Sequence, residues 1–551
     1  GLDEQKAKST SYIRRWKLIP KDIEAYSRGE LVEPVKQIVY YIDPATPEKW
    51  RKYLKQGVED WQIAFEAAGF KNAIICKYPP TKQEDPDWSP EDARYSVIRY
   101  YASDIQNAYG PHTADPRTGE ILESDIGWYH NVMNLLRNWY LIQTAAVNEM
   151  SRSVKFKDEV MGELIRFVSA HEVGHTIGLP HNMGSSYAYP VDSLRSPNFT
   201  SNHGVAPSIM DYARFNYVAQ PEDGVKNFYP RVGTYDIWSV KWGYTYFPDE
   251  DKNSEKKILN SWIKNNANDY NYWFGYSNGI DPRSQTESIG SDNMDASYYG
   301  LLNLKRIVPN LIDWSYEEGK NYEDLKELYM NVNNQFRRYI GHVTTNIGGI
   351  YEDLKSNDQE GSVYKHVPKN IQKKAIYFLN EHVFSSLDWL IDKNVLNKIE
   401  NIGAQERIRV IQNYALNRVF DYSRLSRMIE NKLINGNLSY SVQEMILDIN
   451  KSIWGDLSNT NPTDLYKRNL QKSYVNIFID MMENEKTQSN YYKRFGANIK
   501  FSESDIRPII LGELRDLQEK FKIKTKKTKD KETRNHLQYL KMMIDEVINK
   551  S

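Results

Sequence analysis

Apolar residues follow two different periods along the chain, and the change between them divides it into two parts. In the first part, strand-like alternation occurs at residues 37–42, 73–79, 95–101 and 120–129. Helical spacing interrupts these runs at residues 47–68 and 132–142, and again from residue 156. In the second part only helical spacing recurs, at residues 325–340, 371–384, 408–428, 442–453 and 535–548. The first part is expected to mix sheet and helix, and the second to be a helical bundle.

The charged segment PDEDKNSEKK, at residues 248–257, lies between the two parts and is interpreted as a linker. We predict a lead segment at residues 1–35, a first domain at residues 36–250 and a helical domain at residues 251–551. No repeat of fixed period is evident. A second charged run, at residues 522–531, is interpreted as a solvated turn between helices.

The helix that begins near residue 156 carries the most informative side chains. Its apolar stripe continues at the helical period into His171 and His175. The stripe itself consists of Val160, Leu164, Phe167 and Val168. Residues four apart on a helix have Cβ atoms about 5–6 Å apart, so both imidazoles can bind one metal ion.

A third histidine follows the helix at a spacing that allows it to bind the same ion. Gly178 can take the left-handed conformation that ends a helix, Pro180 prevents the helix from resuming, and His181 can then turn back. Three neutral nitrogens with an open fourth position are typical of a catalytic zinc site. Glu172 is placed to flank the water at that position without binding the metal.

These residues, His171 to His181, match HExxHxxGxxH, the signature of the metzincin zinc endopeptidases. Ser208-Ile209-Met210-Asp211-Tyr212 resembles the Met turn that lies beneath the metal in that family, and residues 235–244 resemble the helix that closes its catalytic domain. The chain looks most like bacterial zinc-dependent metalloproteases in which a metzincin-like domain precedes a long helical region. The motifs cover residues 35–250, and the likeness beyond them is general.

The resemblance implies an α+β fold, in which a mixed twisted sheet backed by helices borders a zinc cleft, followed by a mainly helical domain. It implies one catalytic zinc and hydrolysis of peptide bonds by metal-activated water, with Glu172 as general base and then general acid. Tyr212 would bind the resting metal and then donate a hydrogen bond to the oxyanion. Met210 would form the apolar base under the histidines.

The resemblance also implies that substrate adds to the edge strand just before the metal-site helices. By position that strand is residues 120–129, which makes the candidate substrate-binding residues Glu123, Ser124, Asp125, Ile126 and Gly127. The alternative is an ordinary edge strand protected by its acidic side chains. His112 and His130 flank the segment and are interpreted as packing or surface residues.

Composition limits the partners. Charged residues make up 26% of the chain and nearly cancel, with a net charge of −1, so nothing favours nucleic acid as a partner. No apolar run reaches 18 residues, hence no membrane span is expected. Cys76 is the single cysteine, which excludes an intrachain disulfide and is interpreted as a buried, inert thiol. The expected partner is a protein or peptide substrate.

Location is implied only by the resemblance, because the polar opening GLDEQKAKST shows no signal peptide. We expect a secreted or cell-envelope protein of bacteria. A polar loop in the second part is a candidate for structural calcium through Asp281, Asp292 and Asp295, although it lacks EF-hand spacing. The alternative to a protease is a catalytically weak, zinc-containing scaffold that acts through its helical region.

One segment limits which properties of the metzincin family can be expected of this chain. Residues 182–207 follow no period and are interpreted as a long loop between the third histidine and the Met turn. Asn182, directly after the third histidine, does not match the best-known metzincin subfamilies. No substrate preference is therefore carried over.

Overall fold

A computed structural model describes residue 5 and residues 11–459, 461–486 and 500–550. The chain divides into two compact units: unit 1 comprises Gly1–Tyr276 and Thr286–Ser291, and unit 2 comprises Ser277–Gln285 and Asp292–Ser551. Unit 1 combines a sheet with helices and unit 2 is mainly helical, which confirms the expected α+β class. The domain division at residue 250 stays a prediction.

The strands of unit 1 precede its long helices. They are β1 (Ile38–Ile42), β2 (Ile74–Lys77), β3 (Ser96–Tyr101), β4 (Ala108–Tyr109), β5 (Thr113–Ala114), β6 (Ile121–Glu123) and β7 (Ile126–Tyr129). The main sheet has the order β2-β1-β3-β7-β4. All neighbours in it are parallel except β4, which is antiparallel to β7, and β5 and β6 form a separate antiparallel pair.

The prediction that residues 120–129 form one edge strand is wrong. The segment divides at Ser124 and Asp125, because their polar groups bond across to β3 instead of continuing a ladder. The Ser124 N–H donates to the Ser96 hydroxyl at 3.1 Å, and the Asp125 carboxylate accepts from the Val97 N–H at 2.8 Å. The second half, β7, lies between β3 and β4. The sheet edge on this side is therefore β4.

The helices of unit 1 pack on one face of the sheet and around the metal-site segment. They are α1 (Ile23–Ser27), α2 (Glu48–Glu59), α3 (Gln62–Ala67), α4 (Val132–Thr144), α5 (Asp158–Thr176), α6 (Val191–Leu194), α7 (Pro197–His203), α8 (Thr234–Tyr244) and α9 (Lys252–Asn266). The core contains side chains from β1, β3 and β7 together with those of α2 and α5. Because burial is strongest along α5, this helix is a rigid support for the site.

Three sequence expectations for this unit need correction. The helix predicted at residues 47–68 breaks between α2 and α3, where Asp60 pairs with Arg166 and the buried Trp61 indole donates to the Ala170 carbonyl at 2.8 Å. The segment predicted as a loop, residues 182–207, contains α6 and α7. The predicted linker includes the start of α9, because the Asp251 carboxylate caps that helix.

Unit 2 contains one short hairpin, β8 (Ile350–Glu352) with antiparallel β9 (Tyr364–His366). Its described helices are α10 (Asn293–Ile307), α11 (Leu311–Trp314), α12 (Glu323–Thr345), α13 (Lys369–His382), α14 (Lys393–Ile399), α15 (Ala404–Val419), α16 (Tyr422–Asn435), α17 (Val442–Ile453), α18 (Leu465–Glu483), α19 (Ile506–Lys527) and α20 (Lys531–Lys550). None of the described helices is long and apolar enough to cross a membrane.

Two predictions in unit 2 are wrong in detail. The helix predicted at residues 408–428 is divided, because Asp421 ends α15 and caps α16 through the Arg424 N–H. The charged run at residues 522–531 mostly continues α19 and begins α20 instead of forming a solvated turn. Within it Lys524 is buried and donates to the Asp456 carbonyl at 2.8 Å.

Candidate metal centre

The end of α5 is built so that the chain can turn back on itself. Gly178 has φ +100°, and a Cβ there would lie 2.0 Å from the Arg14 carbonyl oxygen, so only glycine fits. The Leu179 N–H donates to the Gly174 carbonyl at 3.0 Å and the Gly178 N–H to the His175 carbonyl at 3.1 Å, which closes the helix end. This turn brings His181 back beside α5.

Three histidine nitrogens converge at this point. The Nε2 atom of His181 lies 3.2 Å from that of His171 and 3.0 Å from that of His175. Four-coordinate zinc at about 2.0–2.1 Å from each nitrogen requires a separation of roughly 3.3 Å between ligand atoms. Within the described residues, these histidines are the group of histidine, cysteine and acidic side chains close enough to hold a metal. The three-histidine site is compatible with zinc.

Hydrogen bonds behind the rings fix which nitrogen faces the centre. The Nδ1 hydrogen of His171 is donated to the Ile209 carbonyl at 2.7 Å, and that of His175 to the Leu179 carbonyl at 2.9 Å. Their Nε2 atoms therefore present lone pairs to one another, which is favourable only around a cation. Burial lowers the pKa of all three imidazoles, that of His181 to about 4, so they are neutral and able to bind a metal.

Glu172 is the acidic group of the centre. Its residue is 8% exposed, and the Gly110 N–H bonds to its carboxylate. Burial raises the pKa of Glu172 to about 7, although the nearby Arg214 charge and this hydrogen bond act in the opposite direction. A carboxyl group poised near neutrality is suited to accept and return a proton.

The Met turn packs directly under the histidine helix. Met210 is 1% exposed, and a Cβ on Gly174 would lie 2.2 Å from its Sδ, so the glycine between the helix histidines makes room for it. The Asn182 N–H donates to the Met210 carbonyl at 3.1 Å. The third histidine and the turn are thus tied together by the residue that follows His181.

Asp236 of α8 holds the same turn from below. Its buried carboxylate accepts from the Ser208 hydroxyl at 2.6 Å, from the Ile209 N–H at 2.7 Å and from the Gly233 N–H at 2.9 Å. Ile209 in turn accepts from His171, so Asp236 fixes a metal-site histidine through two hydrogen bonds. Sequence reasoning found this helix by resemblance but missed the role of its aspartate.

Tyr212 lies against the histidines. Its ring centroid is 4.3 Å from that of His181 and 5.3 Å from that of His171. The Arg214 guanidinium carbon lies 4.2 Å from the Tyr212 centroid and 3.9 Å from that of Trp139. No motif or period marks Arg214 in the sequence, and this arginine was not predicted.

The predicted substrate residues lie apart from an open edge. Glu123 accepts from the Thr113 hydroxyl at 3.1 Å within the β5–β6 pair, and Ser124 is buried. Asp125 is bonded to β3, as described above, while Ile126 and Gly127 belong to β7 inside the sheet. Their role in binding substrate stays a prediction, and β7 offers no free side to a peptide.

The remaining candidates have other contacts. His112 Nδ1 donates to the His175 carbonyl at 3.2 Å, and His130 is exposed and bonded to Tyr100. Asp281 pairs with Arg283 at 2.7 Å, and Asp292 and Asp295 pair with Lys374 at 2.8 and 2.7 Å. These carboxylates face protein cations instead of converging, and the calcium site stays a prediction.

Comparison with known proteins gives one match. A family model described as Met-zincin matches residues 153–461, which is more than half of the 551-residue chain. The matched segment includes α5, the Met turn and the early helices of unit 2. No curated protein and no solved structure matches the chain.

Proposed function

Because the chain belongs to the Met-zincin family, as its motifs indicated, we propose that it is a zinc-dependent endopeptidase. The family and the three-histidine site together suggest a zinc metalloprotease. The observation that carries the proposal further is the convergence of three neutral Nε2 atoms beside the buried carboxyl group of Glu172. A site that served structure alone would have no use for that carboxyl group.

In this proposal His171, His175 and His181 hold the metal and each residue around them has one task. Zinc bound there would polarise the scissile carbonyl and lower the pKa of water to about 7. Ile209 and Leu179, as acceptors of the Nδ1 hydrogens, keep two of the rings turned toward it. Met210 supplies the apolar packing beneath the rings.

Glu172 moves the proton. Its carboxylate accepts a proton from the attacking water and later delivers it to the nitrogen of the leaving amine. Burial supports both steps, because a carboxyl group whose pKa is raised toward neutrality can both accept a proton and give it up again. Tyr212 is placed beside His181 so that its hydroxyl can donate to the oxyanion that forms on the substrate.

We propose that substrate adds to β4 instead of β7. The Tyr129 N–H donates to the Asn107 carbonyl, so the alternate residues Ala108 and Gly110 direct their backbone groups away from β7. Support for this edge comes from Gly110, the residue directly after β4, because its N–H acts on the Glu172 carboxylate and so lies beside the proposed base. An extended peptide paired with this edge would pass the carboxyl group with its backbone exposed to attack.

The test is cleavage of a peptide library in which both termini are blocked. Zinc-loaded protein should cut internal bonds, and a chelator should abolish the cutting until zinc is restored. Blocked ends exclude an exopeptidase, because such an enzyme must recognise a free terminus. An inert zinc-loaded protein would instead support the scaffold alternative.

The edge assignment has its own test. Ala108→Pro removes an outward N–H without removing a bond to β7, so cleavage should fall about tenfold or more while zinc content is unchanged. Ala108→Val keeps the N–H and is the matched control. Equal activity of the two variants would place the substrate elsewhere.

A further inference from the structure

Two strained backbone positions meet beside the metal centre. In the described backbone, the non-glycine residues with positive φ are Asn72, Arg214 at 58° and Glu287 at 61°. Asparagine adopts this region readily, whereas arginine and glutamate do so rarely. Arg214 Nε lies 3.5 Å from Glu287 Oε1, so both unusual residues belong to one ion pair. Such strain persists only where surrounding contacts hold it, and it concentrates at functional sites.

Glu287 is brought to the site by a short segment, Thr286–Ser291, which we call the strap. The strap belongs to unit 1, although the residues on both sides of it belong to unit 2. The Glu287 N–H donates to the Tyr212 carbonyl at 2.8 Å. Further along, the Ser186 hydroxyl donates to the Ser288 carbonyl at 2.7 Å. Glu287 is 2% exposed, so its carboxylate has a fixed place.

Arg214 connects the strap to the ring of Tyr212. Its guanidinium carbon is 4.2 Å from the Tyr212 centroid and 3.9 Å from the Trp139 centroid, within the range of attraction between a cation and an aromatic face. The same ring of Tyr212 contacts His181 on the metal side. The contacts therefore run from Glu287 through Arg214 and Tyr212 to the histidines.

We propose that Arg214 is a positioning residue, anchored by Glu287, that fixes the Tyr212 ring so that its hydroxyl meets the oxyanion of the substrate. The inference rests on the proposed peptidase function for its catalytic consequence. It acts through Tyr212, because nothing here requires Arg214 to touch the substrate. Loss of the guanidinium should therefore reduce turnover and leave substrate binding nearly unchanged.

The first experiment compares kcat and KM. Arg214→Met should lower kcat about 10- to 100-fold, since misplacing one group by about an ångström has an effect of this size, with KM within about twofold and zinc content unchanged. Arg214→Lys keeps the charge but not the planar face, so it should restore only part of the loss. Glu287→Gln should give a smaller loss of the same kind. A KM effect without a kcat effect would overturn the proposal.

A matched control shows whether any buried arginine pair would behave alike. Arg195 of unit 1 pairs with Asp223 at 2.8 Å, with side chains 22% and 10% exposed, against 14% and 3% for Arg214 and Glu287. Arg195→Met should lower the melting temperature but change kcat less than twofold. A kcat loss equal to that of Arg214→Met would show a general structural effect and overturn the proposal.

A double-mutant cycle separates positioning from support of the Met turn. Tyr212→Phe keeps the ring and removes only the hydroxyl, so adding Arg214→Met to it should reduce kcat less than about twofold further. If the kcat losses of the two substitutions were additive, Arg214 would act by a route other than the Tyr212 hydroxyl, and the proposal would be overturned.

A crystal structure of metal-free Arg214→Met tests the geometry without reference to activity. The Tyr212 ring should move by about an ångström or occupy alternative positions. A Tyr212 ring in its wild-type position would contradict the inference. If the wild-type protein cleaves no peptide, the proposed function fails, but this structural arm still decides whether Arg214 positions Tyr212.

Discussion

The two units bury charge for different purposes. In unit 1 two fully buried carboxyl groups belong to the Met turn or bond to it, and burial raises the pKa of both Asp211 and Asp236 to about 7. In unit 2 two buried cations lie at helix ends. Arg424 donates to the carbonyls of Thr344, in the last turn of α12, and of Ile347, just after it, and Lys524 donates to the Asp456 carbonyl. Helix carbonyls without intrahelical partners attract such donors. These two carboxyl groups thus belong to the support of the Met turn in unit 1, whereas these two cations stabilise helix ends in unit 2.

The largest expected effect is loss of the metal. His175→Ala removes one of three converging nitrogens, so zinc content should fall from one per chain toward zero, together with all peptide cleavage. Metal analysis after dialysis measures the zinc content, and His203→Ala is the control. Stoichiometric zinc in His175→Ala would remove the reason for treating unit 1 as the functional unit.

Glu172→Gln should leave zinc binding unchanged and remove most of the peptide cleavage. The amide cannot accept the proton of water, so cleavage should fall about 10²–10⁴-fold with zinc content unchanged. The control is Glu163→Gln on the same helix, a half-exposed residue near Arg166. Near-normal turnover of zinc-loaded Glu172→Gln would assign the proton transfer to another group.

Asp236→Ala should destabilise unit 1 and disturb the centre. It leaves the Ser208 hydroxyl and two N–H groups buried without an acceptor, for which we expect about 3 kcal/mol or more of lost unfolding free energy. Chemical denaturation of metal-free protein measures it. Asp60→Ala, which breaks a half-buried pair with Arg166, should cost about 1 kcal/mol or less. Equal losses would contradict a special role for the carboxylate under the Met turn.

One buried group in each unit should contribute to stability with the opposite dependence on pH. For Asp236 the folded pKa lies above the ordinary value of 3.8, so its contribution to stability is full below about pH 4 and lost as pH rises toward 7. His536 of unit 2 donates to Gln471 at 2.9 Å, and burial lowers its pKa to about 3. Its contribution is full above about pH 6.5 and is lost as pH falls through that value toward 3.

The smallest predicted effect follows from the lowered pKa of His536, which makes unit 2 less stable as the pH falls. Between pH 7 and pH 5, His536 should remove about 2 kcal/mol of stability from unit 2, and His536→Gln should abolish that change. Hydrogen exchange in α18 and α20 measures it. If exchange in the mutant retains the wild-type pH dependence, another group in unit 2 controls the response.

The sequence predicted those features that depend on local spacing. The three-histidine site was predicted because the helix period and the turn at Gly178 bring three histidines together within eleven residues. β4 was missed because a two-residue strand has no period and exists only through its pairing with β7. Arg214 and Glu287 are far apart in sequence, and a left-handed arginine has no sequence signature.

The strap also sets a lower limit on any fragment made to study the centre by itself. Cutting the gene at residue 250, where composition places the boundary, would delete Glu287 and with it the anchor of Arg214. A fragment that contains all of unit 1 must extend to Ser291. It therefore also includes Ser277–Gln285, which belong to unit 2. Modular swapping of the helical region between relatives would therefore have to begin after the strap.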